Sequence, residues 1–249
     1  MKKVFVKTSN YERFQAAIKA LEGRGAPEAG WLLVAGDPAR GKSTIVDEWA
    51  AKNGAVYIRA KEQWRPTFFT DDLHDKLKTD PAGTAKQRFQ RLVAKIGHER
   101  LPIVIDEVQH TLRDNAAVLE VLRDITDLTE TVVVLVAGVE QVQTRIARHK
   151  QIASRIAKVV EFSANTPEDT ALVCREMADI ELADDLIAEI HRQSDGLMRG
   201  IVNAITFIEQ HARRNRAARM TLADMAGQEL IHDWQSRRPR LVKPAGGGR

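Results

Sequence analysis

The 249-residue sequence has one cysteine and no long apolar run, so we expect neither an internal disulfide nor a membrane-spanning helix. Cys174 has no second cysteine to pair with, which fits a reducing compartment, and its apolar surroundings (ALVCREM) predict a buried structural thiol. No segment approaches the roughly 18 apolar residues that a membrane-spanning helix needs. Lys2 and Lys3 are not followed by an apolar run, so we expect no secretory signal and no membrane association, but a cytoplasmic protein. His110 has no Cys or His partner at metal-ligand spacing, which argues against a zinc site there.

Acidic residues are scarce in the last part of the chain, although the net charge of the whole chain is only +4. From residue 211 onward, only Asp224, Glu229 and Asp233 oppose the basic residues Arg213, Arg214, Arg216, Arg219, Arg237, Arg238, Arg240, Lys243 and Arg249. This asymmetry suggests a polyanionic partner, and a solvated helix face with a frayed end is the alternative.

Short apolar runs alternate with helical patterns through the first two thirds of the chain. The runs cover residues 31–36, 55–60, 101–106, 131–138 and 157–162, and the main helical patterns cover 10–22, 43–52, 84–96 and 115–128. Continuous apolar runs are typical of strands buried on both faces of a parallel sheet. The alternation therefore predicts an α/β fold, with a parallel sheet flanked by helices.

The pattern changes after Phe162, where only helices are expected. Thr166-Pro167 begins the first with a hydroxyl cap and a proline, and the helices are predicted over 167–180, 183–194, 197–214 and 222–235. The last of these begins with Thr221 as its cap and Asp224 in its first turn. We thus predict an α/β domain over 1–164, a small all-helical domain over 165–236 and a basic, disordered tail over 237–249.

The segment GDPARGKS matches the phosphate-binding pattern G-x-x-x-x-G-K-[ST], directly after a predicted buried strand and before a helix. Glycines allow backbone N–H groups to surround phosphate oxygens, and the helix N-terminus adds partial positive charge. Lys42 would contact the β- and γ-phosphates, and the Ser43 hydroxyl would coordinate Mg²⁺. The alternative is a chance glycine turn. The predicted nucleotide-binding residues here are Gly36, Asp37, Pro38, Ala39, Arg40, Gly41, Lys42, Ser43 and Thr44.

The segment LPIVIDEVQH supplies acidic residues at the end of another predicted strand. Asp106 would bind the nucleotide and hold the Mg²⁺ shell, and Glu107 would accept a proton from the attacking water. An Asp-Glu pair alone is weak evidence, but its position downstream of the phosphate-binding loop strengthens it. Together the two motifs predict binding of ATP and Mg²⁺.

The order of phosphate-binding loop, Asp-Glu pair, further strand and helical lid resembles the AAA+ superfamily over about residues 8–210. The resemblance implies a P-loop AAA+ sheet with a helical lid, ATP hydrolysis and an arginine acting across a subunit interface. Ser154-Arg155-Ile156 resembles the box that carries this arginine, so Arg155 is its candidate, with Arg145 and Arg148 as rivals and a solvated helix arginine as the alternative. GLMRGIVNAI resembles the lid motif that makes Arg199 a nucleotide contact, with a structural salt bridge as the alternative.

The resemblance also has a departure, at the strand over 132–138. The family usually ends this strand with a polar residue near the γ-phosphate, whereas this chain has Ala137-Gly138, with Glu140 and Gln141 beyond. The sequence does not identify which residue of this chain takes the place of that polar residue.

VKTSNYERF before the loop and DEVQHTL after the apolar strand resemble the transposition ATPases of the phage Mu B type. That resemblance implies ATP-dependent, sequence-independent binding of double-stranded DNA by a homo-oligomeric ring or filament, in a bacterial or phage-infected cytoplasm. It also implies delivery of DNA to a transposase, with hydrolysis stimulated by DNA and by that partner. The alternatives are an AAA+ machine of the initiator or helicase-loader type, and an ATP-driven switch that binds protein and not DNA.

Basic residues cluster around Trp64 and in the helical pattern before the Asp-Glu pair. Interleaved bases and an aromatic residue suit contacts with a phosphate backbone. The alternative places Trp64 and the Phe68-Phe69 pair in the core, with exposed bases around them. The candidate DNA contacts are Arg59, Lys61, Arg65, Lys86 and Arg88.

Overall fold

The computed structural model describes residues 1–138, 141–232 and 240–243. The chain divides into two compact units. An α/β unit contains residues 13–38 and 42–162, and a helical unit contains residues 1–12, 39–41 and those from 163 onward.

The α/β unit is built on a five-stranded sheet in the order β2-β3-β4-β1-β5. The strands are β1 (Trp31–Ala35), β2 (Val56–Arg59), β3 (Ile103–Asp106), β4 (Val133–Val136) and β5 (Ile156–Glu161), and every neighbouring pair is parallel. The three inner strands are buried along their whole length, which is why each reads as a continuous apolar run. The predicted fold class, a parallel sheet flanked by helices, is therefore confirmed.

Helices connect the strands, four of them where the sequence predicts a helical pattern and three in addition. They are α1 (Ser9–Glu22), α2 (Lys42–Lys52), α3 (Pro66–Leu77), α4 (Ala85–Glu99), α5 (Ala117–Thr129), α6 (Val142–Ala147) and α7 (Lys150–Ala153). The sequence reading missed α3, although Phe69, Leu73 and Leu77 recur at helical spacing and are buried.

The aromatic residues around α3 divide between the core and the surface. Trp64 and Phe69 are buried with their ring centroids 5.3 Å apart, and the Trp64 indole donates to Asp72 at 2.8 Å. Phe68, in contrast, is 52% exposed. The alternative reading, with these aromatics in the core, holds for Trp64 and Phe69 and is wrong for Phe68.

The helical unit contains α8 (Pro167–Met177), α9 (Asp184–Ser194) and α10 (Met198–Asn215). Thr166 caps α8 as predicted and forms a reciprocal capping box with Asp169. Cys174 is fully buried in α8, and burial raises the pKa of its thiol to about 12, so it is the inert structural thiol that the sequence predicts. The expectation of helices only is wrong at one place, because β6 (Glu181–Leu182) and β7 (Arg219–Met220) form a short parallel pair.

The helix predicted over 222–235 is wrong in the part of it that the structure describes. Thr221 caps the segment by bonding Asp224, but the helical turn is a 3₁₀ helix limited to Ala223–Met225. Gly227 then adopts a φ of 76° and its N–H donates to the Val242 carbonyl at 3.0 Å. The turn ends there because the backbone leaves the helix to bond a later segment of the chain.

The tail predicted to be disordered is ordered at residues 240–243. Glu229 and Leu241 form an antiparallel bridge, and Val242 is 1% exposed within the core of the helical unit. Arg240 donates to Asp195 at 3.0 Å. The composition of this segment predicts disorder, but the apolar pair Leu241-Val242 gives it local structure. The rest of the predicted tail, residues 237–239 and 244–249, lies outside the described residues. None of the described helices combines the length and apolarity required to cross a bilayer.

Candidate nucleotide-binding site

The phosphate-binding loop and the Asp-Glu pair lie at the edge of the sheet formed by the carboxyl ends of its strands, whereas Arg155 precedes β5. The loop from Gly36 follows β1, Asp106 ends β3, and Gly138 follows β4. All strands of this sheet are parallel, so their carboxyl ends meet at the same edge. Open α/β sheets bind their ligands in the crevice outside these ends.

The phosphate-binding loop uses its glycines in two different ways. Gly36 has a φ of 127°, and a Cβ there would lie 2.4 Å from the Phe162 carbonyl oxygen, so no other residue fits. Gly41 has a φ of 83°, and a Cβ there would meet nothing within 4 Å. The second glycine therefore serves the conformation of the loop and leaves open space beside its backbone.

Lys42 begins α2 and is only 6% exposed. Its amine donates to the carbonyl oxygens of Gly36 and Asp37, at 2.6 Å each. These bonds fold the side chain back along the loop that precedes it. Phosphate oxygens are stronger, charged acceptors that the same amine can take in place of the carbonyls.

The other predicted residues of the loop lie where the pattern requires. Asp37, Pro38, Ala39 and Arg40 form its turn, with Ala39 in the left-handed region at a φ of 65°. Ser43 and Thr44 lie in the first turn of α2, next to its N-terminal N–H groups. A helix N-terminus that follows such a turn is a site suited to anions.

Asp106 is buried and both of its carboxylate oxygens are engaged. One accepts the Glu107 backbone N–H at 2.9 Å. The other accepts the Tyr57 hydroxyl at 2.7 Å and Arg59 Nη2 at 3.1 Å. The register of β2 against β3 places Arg59 opposite Asp106, which explains the contact. Tyr57 is a site residue that the sequence reading missed, because only this register reveals it.

The contacts with Asp106 shift the pKa values of both partners. Burial and the hydrogen bond to Asp106 raise the pKa of Tyr57 well above its usual value. The hydrogen bond to Asp106 also raises the pKa of the Arg59 guanidinium. Tyr57 therefore stays a neutral donor, and the carboxylate it contacts is held in one orientation.

Glu107 lies directly after β3 in the left-handed region, with φ 57° and ψ 44°. Gln109, in the 3₁₀ helix Val108–Leu112, donates its side-chain amide to Glu107 Oε2. The amide oxygen of Gln109 accepts the Gly138 backbone N–H at 3.0 Å. The side-chain amide of Gln109 thus lies at the end of β4, between the Glu107 carboxylate and the Gly138 backbone.

The residues at this edge fit ATP and Mg²⁺. Lys42 offers an ammonium group beside an open glycine turn, which suits phosphate oxygens. The hydroxyl of Ser43 and the carboxylate of Asp106 are oxygen ligands of the kind that Mg²⁺ prefers. Ser43 and Asp106 would therefore hold the metal.

Comparison with known proteins agrees with this geometry. Residues 26–146 match the family model described as an AAA domain, a range that includes the phosphate-binding loop and the Asp-Glu pair. The chain has the AAA+ fold.

Several solved structures share this fold at low sequence identity. The ORC2 protein of Aeropyrum pernix, in its ADPNP-ADP complexes, has a TM-score of 0.69 and 16% identity, covering 88% of this chain and 68% of that one. Cdc6p from Pyrobaculum aerophilum has a TM-score of 0.64 and 14% identity, covering 90% and 68%. The Aeropyrum pernix ORC1 protein in complex with DNA has a TM-score of 0.61 and 15% identity, covering 88% and 63%.

These similarities establish the fold alone, and the chain spans about two thirds of the length of the structures it matches. A search of curated proteins finds no match. Membership of the transposition family therefore stays a prediction.

The candidate arginines of the AAA+ fold lie in different units. Arg155 directly precedes β5 and is bonded to Asp127 of α5, at 2.7 and 2.8 Å. Its rivals lie nearby, with Arg145 half-buried on α6 and Arg148 exposed just after it. Arg199 is the second residue of α10 in the helical unit, where its side chain is exposed. The roles of these arginines stay predictions.

The candidate DNA contacts differ in how strongly they are paired. Arg59 contacts Asp106, Lys61 lies 2.9 Å from Asp72, and Arg88 bonds Asp71. Arg65 and Lys86 are exposed. Substitutions of Arg65 and Lys86 therefore test a DNA-binding surface most directly, because they break none of the ion pairs described for the other three residues.

Proposed function

We propose that this protein is an AAA+ ATPase that binds double-stranded DNA as an ATP-bound oligomer and delivers it to a partner transposase. The observation that carries the ATPase part is that the Lys42 loop follows β1 while Asp106 and Glu107 lie at the end of β3, so both motifs are at the carboxyl ends of parallel strands. A phosphate-binding loop and an Asp-Glu pair at the same end of a sheet supply the charges that phosphoryl transfer to water requires.

In the proposed reaction, Lys42 binds the β- and γ-phosphates and Glu107 accepts a proton from the attacking water. Mg²⁺, when bound, supplies positive charge to the phosphate oxygens. Asp106 keeps its orientation through its bonds with Tyr57 and Arg59. We further propose that Arg155 of a neighbouring subunit and Arg199 of the helical unit contact the nucleotide.

The DNA part of the proposal depends on charge. Four arginines at the end of α10 and beyond it are exposed: Arg213, Arg214, Arg216 and Arg219. Arg213 lies 3.7 Å from Glu209 and Arg219 lies 3.2 Å from Glu181, so both are partly neutralised. Arg65 and Lys86 add exposed positive charge in the α/β unit. Clusters of this kind bind phosphate backbones with little regard to sequence, which agrees with the resemblance to transposition ATPases.

The test of the proposal is DNA binding as a function of nucleotide. We expect the protein to shift duplex DNA of unrelated sequences with ATP or a slowly hydrolysed analogue, and to release it with ADP. Electron microscopy of the same mixture should show rings or filaments, and a cognate transposase should stimulate hydrolysis. DNA binding that ignores the nucleotide, or no binding at all, would contradict the proposal.

Charge reversal locates the surface. Arg65→Glu and Lys86→Glu should each weaken DNA binding and reduce the slope of log affinity against log salt by about 1. Lys158→Glu is the matched control, because Lys158 is exposed on β5. This outermost strand lies across the sheet from β2, the strand that Arg65 and Lys86 follow in the chain. An equal loss in all three variants would indicate a general effect of net charge and no defined surface.

The second candidate is an AAA+ DNA machine of the initiator or helicase-loader type. The similarity to the ORC and Cdc6 structures favours it as an alternative. It predicts ATP-dependent recruitment of a replicative helicase, with no effect of a transposase on hydrolysis. ATP-dependent protein binding that resists salt, without any DNA shift, would instead indicate a protein-binding switch.

A further inference from the structure

The side chain of Gln109 connects two of the strands that form the nucleotide-binding edge. Its amide nitrogen donates to Oε2 of Glu107, which follows β3, and its amide oxygen accepts the N–H of Gly138, which follows β4. Gln109 itself belongs to the 3₁₀ helix Val108–Leu112, whose Val108 and Leu112 are buried. One half-buried amide therefore lies between a backbone donor and a carboxylate acceptor.

Its two neighbours determine how the Gln109 amide is oriented. The Gly138 N–H can only donate, so it requires the amide oxygen on its side. The carboxylate of Glu107, when ionised, can only accept, so it requires the amide nitrogen on the other side. The reversed amide would place two donors together and two acceptors together. This arrangement uses the chemistry of Gln and excludes a Glu side chain at the same place.

The absence of a side chain at Gly138 is part of the same arrangement. A Cβ at Gly138 would lie 2.5 Å from Glu107 Oε2 and 2.8 Å from Gln109 Nε2. Its φ lies outside the left-handed region, so the backbone of Gly138 would accept alanine. What glycine provides here is space for the Glu107–Gln109 contact.

The backbone of Glu107 has an uncommon conformation. Its left-handed conformation directs the side chain from a position that non-glycine residues rarely adopt. A carboxylate that accepts a proton from water must also be held within a fraction of an ångström of its working position.

We propose that Gln109 is the positioning residue for Glu107, and that it does so by anchoring the carboxylate to the backbone at the end of β4. This inference rests on the proposed function, in which Glu107 accepts the proton of the attacking water.

The experiment compares Gln109→Met, Gly138→Ala and the control Gln143→Met in the full chain. Methionine keeps the length and packing of glutamine but removes both hydrogen bonds, and Gln143 is an exposed residue of α6. We expect kcat for ATP hydrolysis to fall by roughly 10- to 100-fold in Gln109→Met and Gly138→Ala. The dissociation constant for ATP should stay within about twofold of wild type, because neither residue belongs to the phosphate-binding loop.

A second readout does not depend on turnover. The Gly138 amide should exchange its hydrogen faster in Gln109→Met than in wild type, because its acceptor is gone. Gln143→Met should match wild type in both measurements. A merely structural role for Gln109 would leave kcat of the methionine variant near wild type.

The outcomes separate the two levels of the proposal. If Glu107→Gln abolishes hydrolysis but Gln109→Met turns over normally, the inference is overturned and the proposed function stands. Unchanged protection of the Gly138 amide in Gln109→Met would also overturn it. A wild-type protein that binds ATP and never hydrolyses it would overturn both.

Discussion

Arg155 donates Nε and Nη2 to the two carboxylate oxygens of Asp127, at 2.7 and 2.8 Å. The bond holds the pKa of Asp127 below its usual range and raises that of Arg155. The arginine that the AAA+ resemblance assigns to a neighbouring subunit is therefore paired within its own chain. Partly exposed ion pairs contribute only about 0–1 kcal/mol, so Arg155 can exchange Asp127 for a phosphate at little cost.

The first prediction tests whether Arg155 acts across a subunit interface. Arg155→Ala and Glu107→Gln should each lose ATP hydrolysis, by roughly 10³-fold or more for the arginine. Mixing the two variants should restore part of the activity, because some interfaces then join an intact Glu107 to an intact Arg155. The measurement is the hydrolysis rate against mixing ratio at constant total protein.

The rival arginines provide the control for this experiment. Arg145→Ala and Arg148→Ala, mixed with Glu107→Gln in the same way, should show no such recovery if Arg155 is the interface residue. Recovery with Arg148→Ala alone would transfer the role to Arg148 and leave Arg155 as a structural partner of Asp127.

The second prediction concerns the pH dependence of stability at the Arg155–Asp127 pair. Because the pKa of Asp127 is lower in the folded state, the pair stabilises the protein above the pKa of the unfolded state. That contribution should disappear as the pH falls below about 4 and Asp127 takes up a proton. Asp127→Asn should therefore reduce the free energy of unfolding by up to about 1 kcal/mol at neutral pH. The difference from wild type should shrink in acid, and a constant difference from pH 7 to pH 3 would contradict this account.

The third prediction tests the phosphate-binding loop. Lys42→Ala removes the ammonium group, and a charged hydrogen bond contributes about 1.5–3 kcal/mol, so ATP affinity should fall by roughly 10- to 100-fold or more. Titration calorimetry measures the affinity directly. Lys52→Ala is the matched control, because Lys52 lies at the other end of α2 and pairs with Glu48. Normal ATP affinity in Lys42→Ala would refute the site.

The fourth prediction separates nucleotide binding from hydrolysis at Glu107. Glu107→Gln has nearly the same shape but cannot accept the proton, so turnover should fall by about 10²–10⁴-fold while ATP binding persists. The ATP-bound oligomer should therefore accumulate and be visible by light scattering. Glu99→Gln, at the exposed end of α4, should behave as wild type. Wild-type turnover in Glu107→Gln would remove Glu107 from its role.

The inner strands and the phosphate-binding loop could be predicted because each depends on residues that are neighbours in the sequence. The inner strands were visible because burial on both faces requires a continuous apolar run. The loop over Gly36–Ser43 was visible because phosphate binding fixes the spacing of its glycines and lysine. The helix α3 was missed because Trp64, Phe68 and Phe69 were interpreted with the basic residues around them.

Contacts between strands could not be predicted in the same way. The contact of Tyr57 and Arg59 with Asp106 depends on the register of β2 against β3, which no local pattern contains. The Gln109–Gly138 contact joins residues on either side of α5, which no local pattern predicts. Arg59 is also a predicted DNA contact, and that role stays a prediction beside its observed bond to Asp106.

The last prediction concerns the segment whose composition suggested disorder. Val242 exchanges backbone hydrogen bonds with Gly227 and Gln228 and is buried in the helical unit, whereas its neighbour Leu241 is 48% exposed. Val242→Ser should destabilise that unit by about 1.5–3 kcal/mol, because a buried valine contributes about that much. Leu241→Ser should change stability by less than about 0.5 kcal/mol. Hydrogen exchange of the amides in α9 and α10 reports the stability of this unit directly, and it should accelerate only in the Val242 variant. Equal protection in both variants would mean that residues 240–243 do not contribute to this core.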